Sequence, residues 1–528
     1  MASHHHRLVH DSLLESARLF GAKEALVAEG KRLTYAELLD QSLRLARSLQ
    51  DLGLQRGDRV AVFMDNGVDA VVSIYGIWAA GGVVMVVNPQ TKADKLAYLL
   101  SDSGARILLT HENQKRTAHS SVKGMTAGVP ALVVSGASGA GASSFADLVT
   151  KGPPEPRDPK TLATDLAALV YTSGSTGNPK GVMVTHQNVT FTLGSLTEYL
   201  RLSSDDRILN LLPLAFDYGL YQLLMAVRLG ATLVLEQGFG YPAVIEQRMQ
   251  DEAITVFPGV PTVYSTLLSR TGTTFPTVRR VTNTAAALSS ELLPALQMKF
   301  PQALIFKMYG LTECKRVCYL EPEEAFTRPD SVGKAIPGTE VFLLDADGNP
   351  VGPNQPGILH VRGPHVMVGY WNKPAETAHM LRPGRHAADR VLCTHDVFRM
   401  DEDGYLYFVG RTDDIIKTRG EKVSPVEVEN VLYGVPGVRD AAVIGIPDPL
   451  LGEAIRAFVS RSPGSQVGER EIRRACQERL ESFMVPKEIV FLEDLPKTDT
   501  GKVRKKSLFD LIPSPAPAET AKPSLVTS

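Results

Sequence analysis

The stretch Tyr171–Gly181 combines residue types that suit the binding of an anion. Its sequence YTSGSTGNPKG holds three glycines, four aliphatic hydroxyls and a lysine, directly after the apolar run LAALV. Glycines let successive backbone N–H groups converge on one anion, and Lys180 adds a compact positive charge. The stretch is not a Walker A loop, because Lys180 is followed by Gly181 rather than Ser or Thr. A plain connecting turn is the alternative, but the buried-strand pattern before the loop and the lysine favour phosphate binding.

The longer string LVYTSGSTGNPKGVMVTHQN resembles the phosphate-binding signature of the AMP-forming acyl-CoA synthetase superfamily. That superfamily also includes luciferases and the adenylation domains of nonribosomal peptide synthetases. The resemblance covers roughly Ser12 to Leu511 and implies that the loop cradles the phosphates of ATP. The residues it assigns to this task are Thr172, Ser173, Gly174, Ser175, Thr176, Gly177 and Lys180.

A second motif, MYGLTECKR at Met308–Arg316, resembles the family's Y-G-x-T-E sequence. The resemblance implies that Tyr309 and Gly310 belong to the nucleotide site, with Tyr309 stacked on adenine. Thr312 would contact the α-phosphate, and Glu313 would hold Mg²⁺ near the phosphates. One carboxylate is a sufficient protein contribution, because Mg²⁺ completes its coordination with phosphate oxygens and water.

The acid would lie between two further segments. LLPLAFDYGL contains Phe216, at a position where family members often carry a gating histidine, followed by Asp217 and Tyr218. Asp217 has two interpretations: it caps a helix, or it binds an amino group on the acid, as in an aminobenzoic acid such as anthranilate. TNTAAAL supplies the small residues Ala285 and Ala286, which would leave room for a planar ring.

The ribose contacts implied by the family come from Asp396 and Arg411. One carboxylate can accept from both ribose hydroxyls. The residue before this aspartate is usually glycine, whereas this chain has His395, so the turn at this point departs from the family pattern.

The C-terminal part resembles the family's mobile lid. Asp413 matches the hinge, Gly420 the position that leaves space for pantetheine, and Lys422 replaces a more usual arginine. LPKTDTGKVRKK resembles the C-terminal signature and implies that Lys502 contacts the α-phosphate and the acid's carboxylate. A basic surface turn is the alternative for this lysine-rich segment.

These assignments predict an ATP-dependent acid–thiol ligase with ATP, Mg²⁺ and coenzyme A as cofactors. A fatty acid or a small aromatic acid, including an amino-substituted one, would be activated as acyl-AMP with release of pyrophosphate and then transferred to coenzyme A. The alternative is an adenylating enzyme that loads a separate carrier protein. A carrier protein or a downstream acyltransferase is therefore a candidate partner.

The elements that position these residues follow from the pattern of the chain. Apolar β-rich runs alternate with helical patterns, which predicts an α/β fold with parallel or mixed sheets covered by helices. We expect an N-terminal adenylate-forming domain at 1–411 with a β-rich subdomain at about 336–411, a mobile α+β lid at 412–511, and a disordered tail at 512–528 whose Pro/Ala/Ser-rich sequence offers little to bury.

Composition excludes several other classes. Hydrophobic residues make up 44% and charged residues 22% of 528, and the net charge of -2 argues against nucleic-acid binding. Four cysteines without a CxxC pair fit a reducing compartment, and we expect a cytoplasmic protein. The uncharged run Ala70–Val87 reaches the lower length limit of a membrane span. However, Gly81 and Gly82 interrupt it, which predicts a buried helix followed by a strand.

Overall fold

The computed structural model divides into two compact units, Met1–Val409 and Gly410–Ser528. The residues that it describes are 7–123, 125, 128, 130–135, 143–172, 179–270, 272–284, 288–386, 389–412, 414, 416–418, 421–448, 451–480, 482–498 and 501–511. The predicted tail at 512–528 lies outside them.

The α-helices of the described residues are mostly short. They are α1 Asp11–Phe20, α2 Tyr35–Asp51, α3 Val68–Ala79, α4 Ala93–Ser103, α5 Lys115–Lys123, α6 Phe145–Thr150, α7 His186–Tyr199, α8 Asp217–Leu229, α9 Pro242–Asp251, α10 Pro261–Leu268, α11 Leu293–Lys299, α12 Pro374–Met380, α13 Pro425–Tyr433, α14 Glu469–Arg479 and α15 Lys505–Phe509.

The strands of the described residues form three sheets in the first unit and one in the second. They are β1 Glu24–Ala28, β2 Lys31–Thr34, β3 Arg59–Phe63, β4 Val83–Val86, β5 Ile107–His111, β6 Ala131–Ser135, β7 Ser143–Ser144, β8 Leu166–Thr172, β9 Lys180–Thr185, β10 Arg207–Asn210, β11 Thr232–Leu235, β12 Val256–Gly259, β13 Arg280–Asn283, β14 Leu304–Tyr309, β15 Cys318–Leu320, β16 Lys334–Ala335, β17 Glu340–Leu344, β18 Pro356–Arg362, β19 Gly369–Tyr370, β20 Leu381–Pro383, β21 Arg390–Met400, β22 Leu406–Arg411, β23 Ile416–Thr418, β24 Glu421–Val423, β25 Val438–Asp448, β26 Gly452–Arg461 and β27 Glu488–Leu492.

Two large sheets with parallel centres form the body of the first unit. One has the order β16-β15-β14-β13-β12-β10-β11-β1-β2, and the other β19-β9-β8-β4-β3-β5-β6-β7. In the first sheet the neighbours β14-β13-β12-β10-β11-β1 are parallel, and β16, β15 and β2 at its edges are antiparallel to their neighbours. In the second sheet the neighbours β8-β4-β3-β5-β6-β7 are parallel, and β19 and β9 at one edge are antiparallel. The predicted helix-covered mixed and parallel sheets are confirmed.

The main apolar core draws on both large sheets and on the helices that pack against them. Helix α3 is buried around nearly its whole circumference, which is why its sequence is apolar on every side rather than amphipathic. It ends before Gly81, whose φ of 86° is costly for a residue with a side chain, and β4 follows. None of the described helices is long and apolar enough to cross a membrane.

Antiparallel strands form the third sheet, in the order β17-β18-β21-β20 with β22 paired to β21. The second unit has the order β24-β23-β26-β25 with β27 paired to β26. Helices α13 and α14 pack on this last sheet over a core that includes Val428, Leu432, Ile472 and Cys476.

Candidate functional site

The glycine-rich loop joins two paired strands. β8 and β9 are antiparallel, and their last pair is Thr172 with Lys180, so backbone pairing fixes the residues on either side of the loop. The strand pair is held from outside by Tyr171, whose hydroxyl donates to Asp102 Oδ2 at 2.6 Å. The predicted phosphate contacts Ser173, Gly174, Ser175, Thr176 and Gly177 lie outside the described residues.

One tyrosine ring connects the loop to the predicted metal ligand. Lys180 Nζ lies 5.5 Å from the centroid of the Tyr370 ring, and the Tyr370 hydroxyl donates to Glu313 Oε1 at 2.6 Å. Tyr370 is placed there by β19, in which it pairs with Val182 of β9. The sequence reasoning missed Tyr370. Its signal was the aromatic pair Tyr370–Trp371 directly after Gly369.

Glu313 provides a donor set that suits Mg²⁺. Among the residues that the structure describes, no group of three or more His, Cys, Asp or Glu side chains could hold a metal. A single half-buried carboxylate that contacts the same tyrosine as Lys180 fits an ion that takes most of its ligands from phosphate and water. It does not fit a zinc or calcium site, which needs more protein ligands.

Tyr309 and Asp396 lie side by side. Tyr309 ends β14, its hydroxyl donates to Asp396, and its ring contacts Phe398 edge-on with centroids 4.8 Å apart. Burial, and then the nearby Asp396 charge, hold the pKa of Tyr309 well above its ordinary value. The hydroxyl is therefore a donor near neutral pH. Gly310 is required next to it, because a Cβ there would lie 2.3 Å from the carbonyl oxygen of Lys315.

Asp396 is presented by an irregularity in β21. The register with β18 changes between Ile358 and His360, as happens at a β-bulge that redirects a side chain. His395 has φ 58°, in the left-handed region where glycine is the ordinary residue. The histidine is held in this conformation by stacking on His379, with ring centroids 4.4 Å apart. His395 therefore adopts the left-handed backbone conformation that glycine, the residue expected from the family pattern, adopts easily.

The predicted acyl pocket is built at the start of α8. Phe216 is the N-cap residue, and Asp217 is the first helical residue, so capping by Asp217, one of its two interpretations, is wrong. Its carboxylate instead pairs with Lys315, with Nζ and Oδ2 3.4 Å apart. The Tyr218 hydroxyl donates to the Thr282 carbonyl oxygen at 2.7 Å. Ala285 and Ala286 lie outside the described residues.

Two buried cations follow the Y-G-x-T-E motif. Lys315 has φ 62°, and its ammonium lies 4.6 Å from the centroid of the Tyr221 ring. Burial lowers the pKa of Lys315 to about 8, although Asp217 opposes the shift. Arg316 donates from Nη1 to the Thr284 hydroxyl. Both stand beside the residues predicted for the acyl pocket.

The predicted lid residues belong to the second unit. Arg411, the predicted ribose contact, is exposed at the end of β22, a strand that crosses the boundary between the two units. Asp413 and Gly420 lie outside the described residues, as does the side chain of Lys422 in β24. Lys502 is exposed and follows a turn in which its backbone N–H donates to Thr498 Oγ1 at 3.2 Å.

Comparison with known proteins identifies the family. Residues 13–371 match the AMP-binding enzyme family, and residues 427–502 match the AMP-binding enzyme C-terminal domain. The chain belongs to the family of AMP-binding enzymes.

Similar family members span nearly the whole chain. Feruloyl-CoA synthase from Amycolatopsis sp is 33% identical over 495 residues, 93% of this chain and 96% of that protein. Long-chain-fatty-acid–CoA ligase from Bacillus subtilis is 31% identical over 536 residues, 94% of this chain and 93% of that protein. The crystal structure of the anthranilate CoA ligase AuaEII in complex with anthranoyl-AMP superposes with a TM-score of 0.88 at 27% identity, covering 96% of this chain and 97% of that one.

These matches confirm the predicted family, fold class and enzyme class. The chain is an AMP-forming ligase that uses ATP and acts on a small-molecule carboxylic acid.

Proposed function

We propose that this enzyme converts a carboxylic acid, ATP and coenzyme A into acyl-CoA, AMP and pyrophosphate through an acyl-AMP intermediate. The observation that carries the proposal is the arrangement around Tyr370, whose ring lies beside Lys180 and whose hydroxyl holds Glu313. A loop lysine and a single carboxylate at one phosphate loop are what a nucleoside triphosphate with its divalent ion requires.

In the first half-reaction the acid's carboxylate oxygen attacks the α-phosphorus of ATP and pyrophosphate leaves. No general base is needed, because the carboxylic acid is already ionised near neutral pH. Lys180, Thr312 and Lys502 lower the repulsion between the two anions and stabilise charge in the transition state. Mg²⁺ bound at Glu313 supplies further positive charge at the phosphates. Asp396 and Tyr309 position the nucleoside.

In the second half-reaction the coenzyme A thiol attacks the acyl carbon and AMP leaves. After pyrophosphate leaves, the segment that carries Lys502 withdraws so that the thiol can reach the acyl carbon. We assign the hinge to Asp413, the pantetheine passage to Gly420 and a single-point phosphate contact to Lys422. Such a motion of a lid between half-reactions can set the overall rate.

Free coenzyme A is our proposed acceptor, and a separate carrier protein is the second candidate. The relatives named feruloyl-CoA synthase and long-chain-fatty-acid–CoA ligase favour coenzyme A. Mass detection of acyl-CoA after incubation with acid, ATP and coenzyme A decides between them.

We further propose a small polar acid rather than a long-chain one. Lys315 and Arg316 are 7% and 1% exposed and lie next to Asp217 and Tyr218. An alkyl chain packed against these buried cations would exclude solvent from them without adding a hydrogen-bond acceptor, which is costly. A short acid with polar substituents has no such cost.

The deciding experiment separates the two half-reactions. We expect Lys502→Ala to lower acid-dependent pyrophosphate release by about 10²-fold and to spare thioester formation from preformed acyl-AMP. Lys506→Ala, at another exposed lysine of the same segment, is the matched control and should leave both rates near wild type. Equal losses in both half-reactions would contradict the role of Lys502. Absence of pyrophosphate release with fatty, benzoic, hydroxybenzoic, aminobenzoic and dicarboxylic acids would contradict the proposed function.

A further inference from the structure

Arg316 is a buried guanidinium to which the described part of the chain offers no counter-carboxylate. The residue is 1% exposed, and within the described part of the chain it forms no ion pair. Among the described residues its side chain has one hydrogen bond, from Nη1 to the Thr284 hydroxyl, and its Nε, also buried, lacks a hydrogen-bond partner. The guanidinium carbon lies 5.9 Å from the Tyr218 ring centroid.

The neighbouring charges do not compensate Arg316. Asp217 pairs with Lys315 at 3.4 Å, and Glu313 accepts from the Tyr370 hydroxyl. Tyr218 and Tyr221 contribute ring faces to Lys315 at 5.5 and 4.6 Å. The group formed by Lys315, Arg316 and Asp217 therefore contains two cations and one carboxylate.

A buried guanidinium in this state is unfavourable unless an anion joins it. Transfer of an unpaired charge into a protein interior costs several kcal/mol, and folded proteins normally pair such charges. Guanidinium is suited to carboxylate because its N–H groups form a planar fork that matches two oxygens. The missing group is therefore an acceptor that the described residues do not themselves provide.

The position of Arg316 identifies where that acceptor comes from. Its guanidinium contacts include the Thr284 hydroxyl and the Tyr218 ring, and Tyr218 is fixed on Thr282. The predicted phosphate side, with Lys180 and Glu313 at Tyr370, shares none of these contacts in the described residues. The acceptor thus belongs to the acyl part of the substrate rather than to ATP.

We propose that the acid carries a second anionic group, a second carboxylate being the simplest, and that Arg316 binds it and determines substrate specificity. This inference rests on the proposed function, because it assigns the acid that is adenylated. It also disfavours the amino-substituted acid considered for Asp217, since Lys315 already offsets the Asp217 charge.

The first test uses matched acids on the wild-type enzyme. Benzene-1,4-dicarboxylate is compared with 4-carbamoylbenzoate, and pentanedioate with 4-carbamoylbutanoate, by pyrophosphate release. Each pair differs only in whether the distal group is charged. We expect kcat/KM to favour the dicarboxylic acid of the better pair by at least about tenfold. Preference for the amide in both pairs, or activity only with acids that have no second anionic group, would overturn the inference while leaving adenylation itself intact.

The second test uses Arg316→Met and Arg316→Lys. We expect Arg316→Met to abolish the preference through a higher KM for the dicarboxylic acid, with kcat for the amide little changed, and Arg316→Lys to keep part of it. Uniform loss with every acid would instead place Arg316 at the reacting carboxylate or the phosphate. If no acid releases pyrophosphate with the wild-type enzyme, the proposed function fails and not merely this inference.

A third measurement does not depend on activity. Removal of an uncompensated buried charge in favour of an apolar side chain of similar length is expected to stabilise the ligand-free protein. Arg316→Met should therefore raise the melting temperature by a few degrees. A lower melting temperature, or a variant that does not fold, would show that Arg316 serves the fold rather than the substrate.

Discussion

At the residue scale, Tyr370 orients Glu313, the predicted metal ligand, although the two residues are far apart in the sequence. Its hydroxyl donates to Glu313 Oε1 at 2.6 Å, which fixes one carboxylate oxygen and leaves the other for a metal. Groups that orient a metal ligand commonly change metal affinity by 10–100-fold when they are removed.

We expect Tyr370→Phe to raise the Mg²⁺ concentration for half-maximal pyrophosphate release by about tenfold. The ring remains, so its contact with Lys180 remains as well. Mn²⁺ binding to the enzyme–ATP complex, followed by electron paramagnetic resonance, gives a readout apart from activity and should weaken in parallel. Phe408→Leu, a change to an aromatic residue beside Tyr309, is the control for general disturbance. An unchanged metal requirement in Tyr370→Phe would contradict the role of Tyr370.

At the element scale, the segment that carries Lys502 is anchored on both sides by ion pairs of the second unit. Lys497 Nζ lies 2.9 Å from Asp440 Oδ2, and Lys505 Nζ, at the start of α15, lies 2.8 Å from Glu429 Oε1. Glu429 also accepts the backbone N–H of Val443 at 2.8 Å. Burial raises the pKa of Glu429, and Lys505 opposes that shift.

We expect Lys505→Met to destabilise the second unit by about 2 kcal/mol, because Glu429 stays largely buried without its cation. Hydrogen–deuterium exchange of the full chain, followed in peptides from α13, β25 and α15, should show faster exchange there and not in the first unit. Adenylation should fall more than thioester formation. The double variant Glu429→Gln, Lys505→Met removes the buried carboxylate together with its cation. It should therefore recover most of the protection against hydrogen exchange. If it exchanges as fast as the single variant, the ion pair does not hold this segment.

Elements with strong local signals could be predicted from the sequence. Examples are the apolar run before the glycine-rich loop and the Gly81–Gly82 break after α3, which depend on neighbouring residues and on turn chemistry. The Asp217–Lys315 pair could not be predicted, because it joins the start of α8 to the connection between β14 and β15, which are far apart in the sequence. The β-bulge at Asp396 was indicated only by a histidine where the family carries glycine.

At the scale of the whole molecule, the N-terminus is tied to the middle of the first unit through a buried histidine. His186, the first residue of α7, is 1% exposed, and its Nδ1 accepts the backbone N–H of Val9 at 3.2 Å. Burial, and then the neighbouring His10, lower the pKa of His186 to about 4, although Asp165 and Asp11 oppose the shift. The neutral ring is thus the form that the fold requires.

This histidine makes the fold sensitive to acid. Its pKa is lower in the folded chain, about 4, than in the unfolded chain, about 6.5, so the unfolded chain binds more protons between these values. Its stabilising contribution is complete above about pH 6.5 and is lost as the pH falls to about 4. The variant His186→Asn can still accept a hydrogen bond from Val9 but does not titrate. As the pH falls from about 6.5 to about 4, we expect its free energy of unfolding to decrease by about 3 kcal/mol less than that of the wild type. Urea unfolding at a series of pH values measures the difference, and parallel pH profiles for the two proteins would show that His186 does not control the acid response.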